Sequence, residues 1–187
     1  EGAASSIGDY AIFAGGRSGF ASYEYTNIGF AINSSLTQTR CDLSVGRSDF
    51  SAGTIGNYAV FSGGEQVSGA GSSDATNTNR IDYFNSSLTR NTSSMNATCR
   101  GWRGGRTPSY LVFSCDGSSI IGGQTSYAEA YNSSLSRTLF AKISTNTGQQ
   151  CTASIGNYLI FFGSYETYFL NNSLTKTVGS PTYPSYP

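Results

Sequence analysis

Asp9-Tyr-Ala-Ile-Phe-Ala-Gly-Gly16 returns three times along the chain, and that recurrence decides the fold. The later copies are Asn57-Tyr-Ala-Val-Phe-Ser-Gly-Gly64, Ser109-Tyr-Leu-Val-Phe-Ser-Cys115 and Asn157-Tyr-Leu-Ile-Phe-Phe-Gly163. Tyr10, Tyr58, Tyr110 and Tyr158 recur at intervals of 48, 52 and 48 residues, in step with Phe13, Phe61, Phe113 and Phe161. Self-similarity at such a period is the mark of a repeat architecture. Each copy is a short run of aromatic and β-branched residues entered through a turn residue, which is strand chemistry. The run is too short for an independent helix, and glycines flank it. Apolar residues on both faces imply a strand buried on both sides.

A second line follows each first one. It reads Phe30-Ala-Ile-Asn-Ser-Ser-Leu-Thr37, Asp82-Tyr-Phe-Asn-Ser-Ser-Leu-Thr89, Glu129-Ala-Tyr-Asn-Ser-Ser-Leu-Ser136 and Tyr168-Phe-Leu-Asn-Asn-Ser-Leu-Thr175. This is a second strand ending in turn residues, after which Leu36, Leu88, Leu135 or Leu174 returns the chain to packed structure. Small residues precede each tyrosine strand, at Gly2–Ser6, Ser51–Thr54 and Cys151–Ser154, with Arg103–Thr107 the least regular copy. These read as first strands, and the segment after each leucine, such as Gln38–Leu43, as a fourth. Four strands per unit, repeated four times, predict an all-β fold, a four-bladed β-propeller. The repeats run approximately 1–48, 49–101, 102–148 and 149–187, in one domain over 1–187. Ala, Ser and Gly on the innermost strands suit a narrow centre. Membership of a larger propeller, or a ring closed by two chains, is the alternative.

The Tyr-x-x-Phe-x-Gly-Gly strand followed by Asn-Ser-Ser-Leu-Thr resembles bacterial and phage-type kelch-like repeats, from about Gly2 to Thr177. The resemblance implies four-stranded blades with a Gly-Gly after the second strand. That pair is present at Gly15-Gly16 and Gly63-Gly64 and degraded at Cys115-Asp116 and Gly163-Ser164. The tryptophan common in the fourth strand of kelch repeats is absent, and four blades are fewer than most kelch propellers hold. The resemblance implies fold far more than function.

Composition narrows the chemistry. The chain has 11 basic and 11 acidic residues and no histidine. A neutral chain offers no electrostatic footprint for nucleic acid or an anionic membrane. The longest apolar run, Tyr158–Phe162, is far below the roughly 20 residues of a spanning helix. Glu1 opens directly into repeat sequence, with no signal peptide in view. Without histidine, Ser-His-Asp and Cys-His nucleophiles are excluded, as is the histidine–tyrosine copper site of a kelch-type oxidase. No cofactor or metal is expected. Asp82 and Glu129 hold equivalent positions in successive units and read as solvated strand ends, not as a glycosidase pair.

The candidate sites are few. Cys41, Cys99, Cys115 and Cys151 form no metal-binding pattern, so disulfides and an oxidising compartment are expected. Buried free thiols are the alternative, and three pairings are open. The stretch Cys99-Arg-Gly-Trp-Arg-Gly-Gly-Arg106 holds the single tryptophan, Trp102, with Arg100, Arg103 and Arg106. An exposed Trp beside arginines can stack on a sugar or anchor a protein. A packed Trp with snorkelling arginines at an irregular blade junction is the plainer reading. Sequons begin at Asn33, Asn85, Asn91, Asn96, Asn132 and Asn171, and four of them share one turn position. The tail 179–187 carries three of the four prolines, which predicts that the last strand is altered or replaced. A segment that docks on a neighbouring subunit is the sharper reading of that tail.

Together these features predict an extracellular, secreted or cell-surface, non-enzymatic propeller that binds a protein or glycan in adhesion. The alternative is a structural subunit of a filament, sheath or phage-type fibre, its partners copies of itself. A glycan-active enzyme with acids at the propeller mouth is a third reading.

Overall fold

The computed structural model describes residues 2–18, 24–67, 75–99, 101, 103–114, 127–141, 151–162 and 167–179. The chain folds into four antiparallel four-stranded sheets. Sheet 1 begins with β1 (Ala3–Ile7) and β2 (Tyr10–Ala14). A two-stranded ribbon, β3 (Arg17–Ser18) and β4 (Glu24–Tyr25), intervenes before β5 (Gly29–Asn33) and β6 (Gln38–Arg40) complete the sheet. Sheet 2 repeats this plan with β7 (Ser51–Ile55), β8 (Tyr58–Ser62), the ribbon β9 (Glu65–Val67) and β10 (Ala75–Asn77), then β11 (Arg80–Phe84) and β12 (Arg90–Ser94). Sheet 3 is β13 (Arg103–Arg106), β14 (Leu111–Ser114), β15 (Tyr127–Tyr131) and β16 (Arg137–Ala141). Sheet 4 is β17 (Cys151–Ile155), β18 (Tyr158–Phe162), β19 (Thr167–Asn171) and β20 (Lys176–Gly179).

The register repeats with the sequence. Phe13 pairs with Phe30, Phe61 with Asp82, Phe113 with Glu129, and Phe161 with Tyr168. The first strands start where the small-residue stretches lie. Two expectations need correcting. The fourth strand of unit one stops at Arg40, because Cys41–Leu43 turn inward and are at least partly buried in the crossover. The last strand of unit four is not lost: β20 pairs with β19 as far as Gly179, ahead of the first tail proline. The rest of the tail lies outside the described residues.

The first strands lie innermost and pack in series, β1 on β7, β7 on β13 and β13 on β17. Hydroxyls link some of them: Thr152 donates to the Gly104 carbonyl at 2.7 Å and Ser154 to the Arg106 carbonyl at 2.6 Å. Small residues here also make room for the next sheet. A Cβ on Gly53 would lie 2.5 Å from Leu111 Cδ1, and one on Gly105 would lie 2.3 Å from Leu159 Cδ1. No comparable packing joins β17 back to β1 among the described residues. The four expected units are therefore present as four-stranded sheets, and no strand contact closes them into a ring among the described residues.

The core is divided among the three junctions. Ile12 packs with Phe61, Val60 with Phe113, and Val112 with Phe161, each in its own cluster. Alternation along the second strand explains this: one face looks to the following sheet and the other to the preceding one. A fully buried aromatic or leucine side chain of this kind contributes about 1.5–3 kcal/mol.

Candidate functional site

Asp82 and Glu129 come first, because they are the acids whose equivalence suggested chemistry. Both are buried, so the expectation of solvated strand ends is wrong. Each carboxylate reaches back from the third strand of its sheet to the crossover from the preceding sheet. Asp82 accepts from the Ser44 amide at 2.9 Å, the Ser44 hydroxyl at 3.0 Å and Arg47 Nη2 at 2.8 Å. Glu129 accepts from the Asn96 amide at 2.7 Å and from the Tyr131 hydroxyl at 2.6 Å. The signal was available in the sequence: units one and four hold Phe30 and Tyr168 at this position, so a charge there stands at a core site. The two acids serve different junctions, and neither faces the other across a cleft.

Arg47 is the buried cation that the sequence did not reveal. Its guanidinium donates to the carbonyls of Gly63, Arg80 and Phe61 as well as to Asp82. It also lies 5.0 Å from the Phe50 ring centroid. Burial pulls its pKa down to about 10, and the Asp82 carboxylate opposes that shift. Burial and Glu129 together push the Tyr131 phenol above its ordinary range, and burial and Glu65 do the same for Tyr25. Arg47 and Tyr25 tie the first unit to the second, whereas Tyr131 braces Glu129 on its own strand.

Cys99 occupies the place of Arg47 at the next junction. The Gly16 amide donates to the Arg47 carbonyl, and the Gly64 amide donates to that of Cys99. Cys99 is buried and disulfide-bonded. Cys41, buried, and Cys151, exposed, are free thiols, so a bridge at every cysteine does not hold. They cannot meet, since Cys41 lies in the junction of sheets 1 and 2 and Cys151 on β17 of sheet 4. Cys115 lies outside the described residues.

Of the arginine–tryptophan stretch, Arg100 and Trp102 lie outside the described residues. By sequence offset Trp102 matches Phe50, three residues after Arg47, and Phe50 is buried. Arg103 and Arg106 begin and end β13. Arg103 is half-buried and has an interaction partner. Arg106 is exposed and stands where the other inner strands carry Ser6, Thr54 and Ser154. No hydrogen bond or ion pair holds its guanidinium among the described residues. It borders a cleft of about 510 Å³ between sheets 2 and 3, with Gly56, Ser109, Tyr110, Asn132 and Ser133 around it. A guanidinium, a phenol ring, hydroxyls and an amide can together grip a polar ligand, with Arg106 suited to a carboxylate.

The four turn sequons are structural as well as accessible. In each, the asparagine Oδ1 accepts two backbone amides, as Asn85 does from Ser87 at 3.0 Å and Thr89 at 2.9 Å. Asn33, Asn132 and Asn171 repeat the arrangement. Asn91 and Asn96 are exposed. Among the described residues, no group of three or more acids or cysteines is placed to hold a metal ion. Among the described residues, no helix is long and apolar enough to cross a membrane.

Sheets stacked in series from small inner strands, with ribbons and crossovers at one end, define a β-propeller-like protein. No protein-family model matches the sequence, and no curated protein does. Solved structures do match, that of YjhT among them, with a TM-score of 0.65 and 11% identity over 100% of this chain. The present chain spans 66% of YjhT. At that identity the likeness carries the fold alone.

Proposed function

We propose that the four sheets are kelch-like propeller blades, and that the chain is an extracellular, non-enzymatic module binding a protein or glycan in adhesion. The observation that carries this reading is the Arg106 cleft. A long cation replaces the small hydroxyl residue of the other inner strands, and its head group is unpartnered among the described residues beside polar turns. The ligand is a saccharide or protein surface bearing hydroxyls and a carboxylate. The disulfide at Cys99 fits an oxidising compartment. The commitment of Asp82 and Glu129 to structural struts weighs against a glycan-active enzyme. The test is a glycan array and a surface-protein pull-down with the wild-type chain and Arg106→Ala. Binding that falls at least about tenfold in Arg106→Ala, with melting unchanged, is expected. Binding that survives the substitution removes the site, and turnover of any arrayed glycan removes the non-enzymatic reading.

The structural-subunit reading, in a filament, sheath or phage-type fibre, draws on the exposed apolar faces of sheets 1 and 4. Regular filaments in negative-stain electron microscopy are its expected signature.

A further inference from the structure

Every junction between neighbouring sheets joins the same two kinds of face, and the four-sheet stack ends with one of each uncovered. On the face that looks to a preceding sheet, Phe61, Phe113 and Phe161 are fully buried, whereas Phe13 is 51% exposed. Leu88, Leu135 and Leu174 pack into the junction clusters, whereas Leu36 is 83% exposed. The face that looks to a following sheet shows the mirror of this at the other end. Tyr10, Tyr58 and Tyr110 pack into the clusters, and Tyr158 is 49% exposed. Ile7 and Ile55 are buried, and Ile155 is 66% exposed. The edge turns agree. A Cβ on Gly8 would lie 3.6 Å from Ser86 of the next sheet, and one on Gly56 would lie 2.9 Å from Ser133, but one on Gly156 meets nothing within 4 Å. A groove of about 380 Å³ runs beside Phe13, Ile28 and Phe30 on sheet 1. Position by position, the open faces are two halves of the junction that the molecule already makes three times.

We propose that these faces are sealed by further four-stranded blades of the same repeat, about two in number, joined in series with these four and completing the ring. The number follows from length: four repeats span 66% of YjhT, and the remaining third is the length of about two more. The chemistry of the occupant follows from the internal junctions. Against Tyr158 and Ile155 it brings a second-strand aromatic and the leucine of an Asn-x-Ser-Leu turn. Against Phe13 and Leu36 it brings a small-residue inner strand and a β-branched residue equivalent to Ile12 or Val60. A second copy of the chain would bring four units, twice the number that the length difference leaves, and is the rival occupant that the test distinguishes.

Cys151 reports on the sealed face without substitution, because it is free, exposed and on the inner strand of sheet 4. The experiment appends a copy of repeats two and three, residues 49–148, after residue 187 and follows alkylation of Cys151 by iodoacetamide, with light scattering alongside. A monomer in which Cys151 reacts at least about tenfold more slowly than in the 187-residue chain is expected. An unchanged rate in a folded six-repeat monomer overturns the proposal. So does a dimer of the 187-residue chain with Cys151 already protected, which would give the faces to a second copy. A second measurement stands if the extended chain does not fold. In the 187-residue chain, Phe13→Asp is expected to shift the melting temperature by about 2 °C or less, while Phe61→Asp unfolds it. Equal damage from both would mean that Phe13 is already covered, and would overturn the proposal.

Discussion

Asn85 holds its turn with one atom, and Leu88 sits three residues further on at a φ of 59°. The same angle recurs to within a degree at Leu36, Leu135 and Leu174. A left-handed backbone costs an ordinary residue about 1–2 kcal/mol, and glycine would avoid that cost. Leucine persists because three of the four side chains reach a junction core, where burial of such a side chain offsets the strain. Tyr131 is the residue with the clearest pH signature. Burial and the Glu129 carboxylate hold its phenol above 10, the ordinary tyrosine value. The folded state therefore keeps a proton that the unfolded chain releases above that value. The stabilisation is complete below pH 10 and is lost as the pH rises further. The urea midpoint is expected to fall from about pH 9 to about pH 11. Tyr131→Phe, which has no such proton, starts about 1–2 kcal/mol lower and falls less over that window. Equal slopes would assign the loss to other groups.

At the scale of the element, the strands and their order were legible because period and residue type agree. Tyr10 and its three counterparts announced the second strands, and the Ala/Ser/Gly stretches announced the first. The crossovers were not legible. Arg47 sits in a segment with no repeat signal, and its role appears only when Gly63, Phe61 and Asp82 are brought around it. Asp82 was read as solvated because a charge usually is, although its place between aromatic counterparts said otherwise. The Arg106 cleft was only half legible: the arginine was singled out, but Tyr110, Asn132 and Ser133 come to it through the fold. The crossover strut makes its own prediction. Arg47→Met and Asp82→Ala each leave buried partners unmatched and are expected to lose about 3–5 kcal/mol in urea denaturation. The double change Arg47→Met with Asp82→Ala removes both charges, and its loss is expected to fall well short of the sum. Simple additivity would show that the two side chains act independently.

The whole molecule is a row of sheets whose stability is close to a sum of unit and junction terms. Sheets 2 and 3 each take part in two junctions, and sheets 1 and 4 in one. Hydrogen exchange followed by mass spectrometry is expected to find β8 and β14 slowest and β2 and β18 faster, the gradient running outward from the middle. Uniform protection would mean that all four sheets open together. What the sequence could not convey was closure, because ring size depends on the small rotation between neighbours and no single residue declares it.

The sameness of the joins bears on how such a gene can change. Because each unit carries one face of each kind, excising or doubling a whole unit keeps the apolar faces of the remaining joins matched, whereas a buried charge such as Asp82 must keep its crossover partner Arg47. Unequal recombination that keeps Arg47 with Asp82 would therefore preserve the pattern of the joins, whereas gain or loss of part of a unit would break the pairing of Phe with its partner across the sheet. The count of units is thus free to drift in evolution while the design of each unit is held fixed.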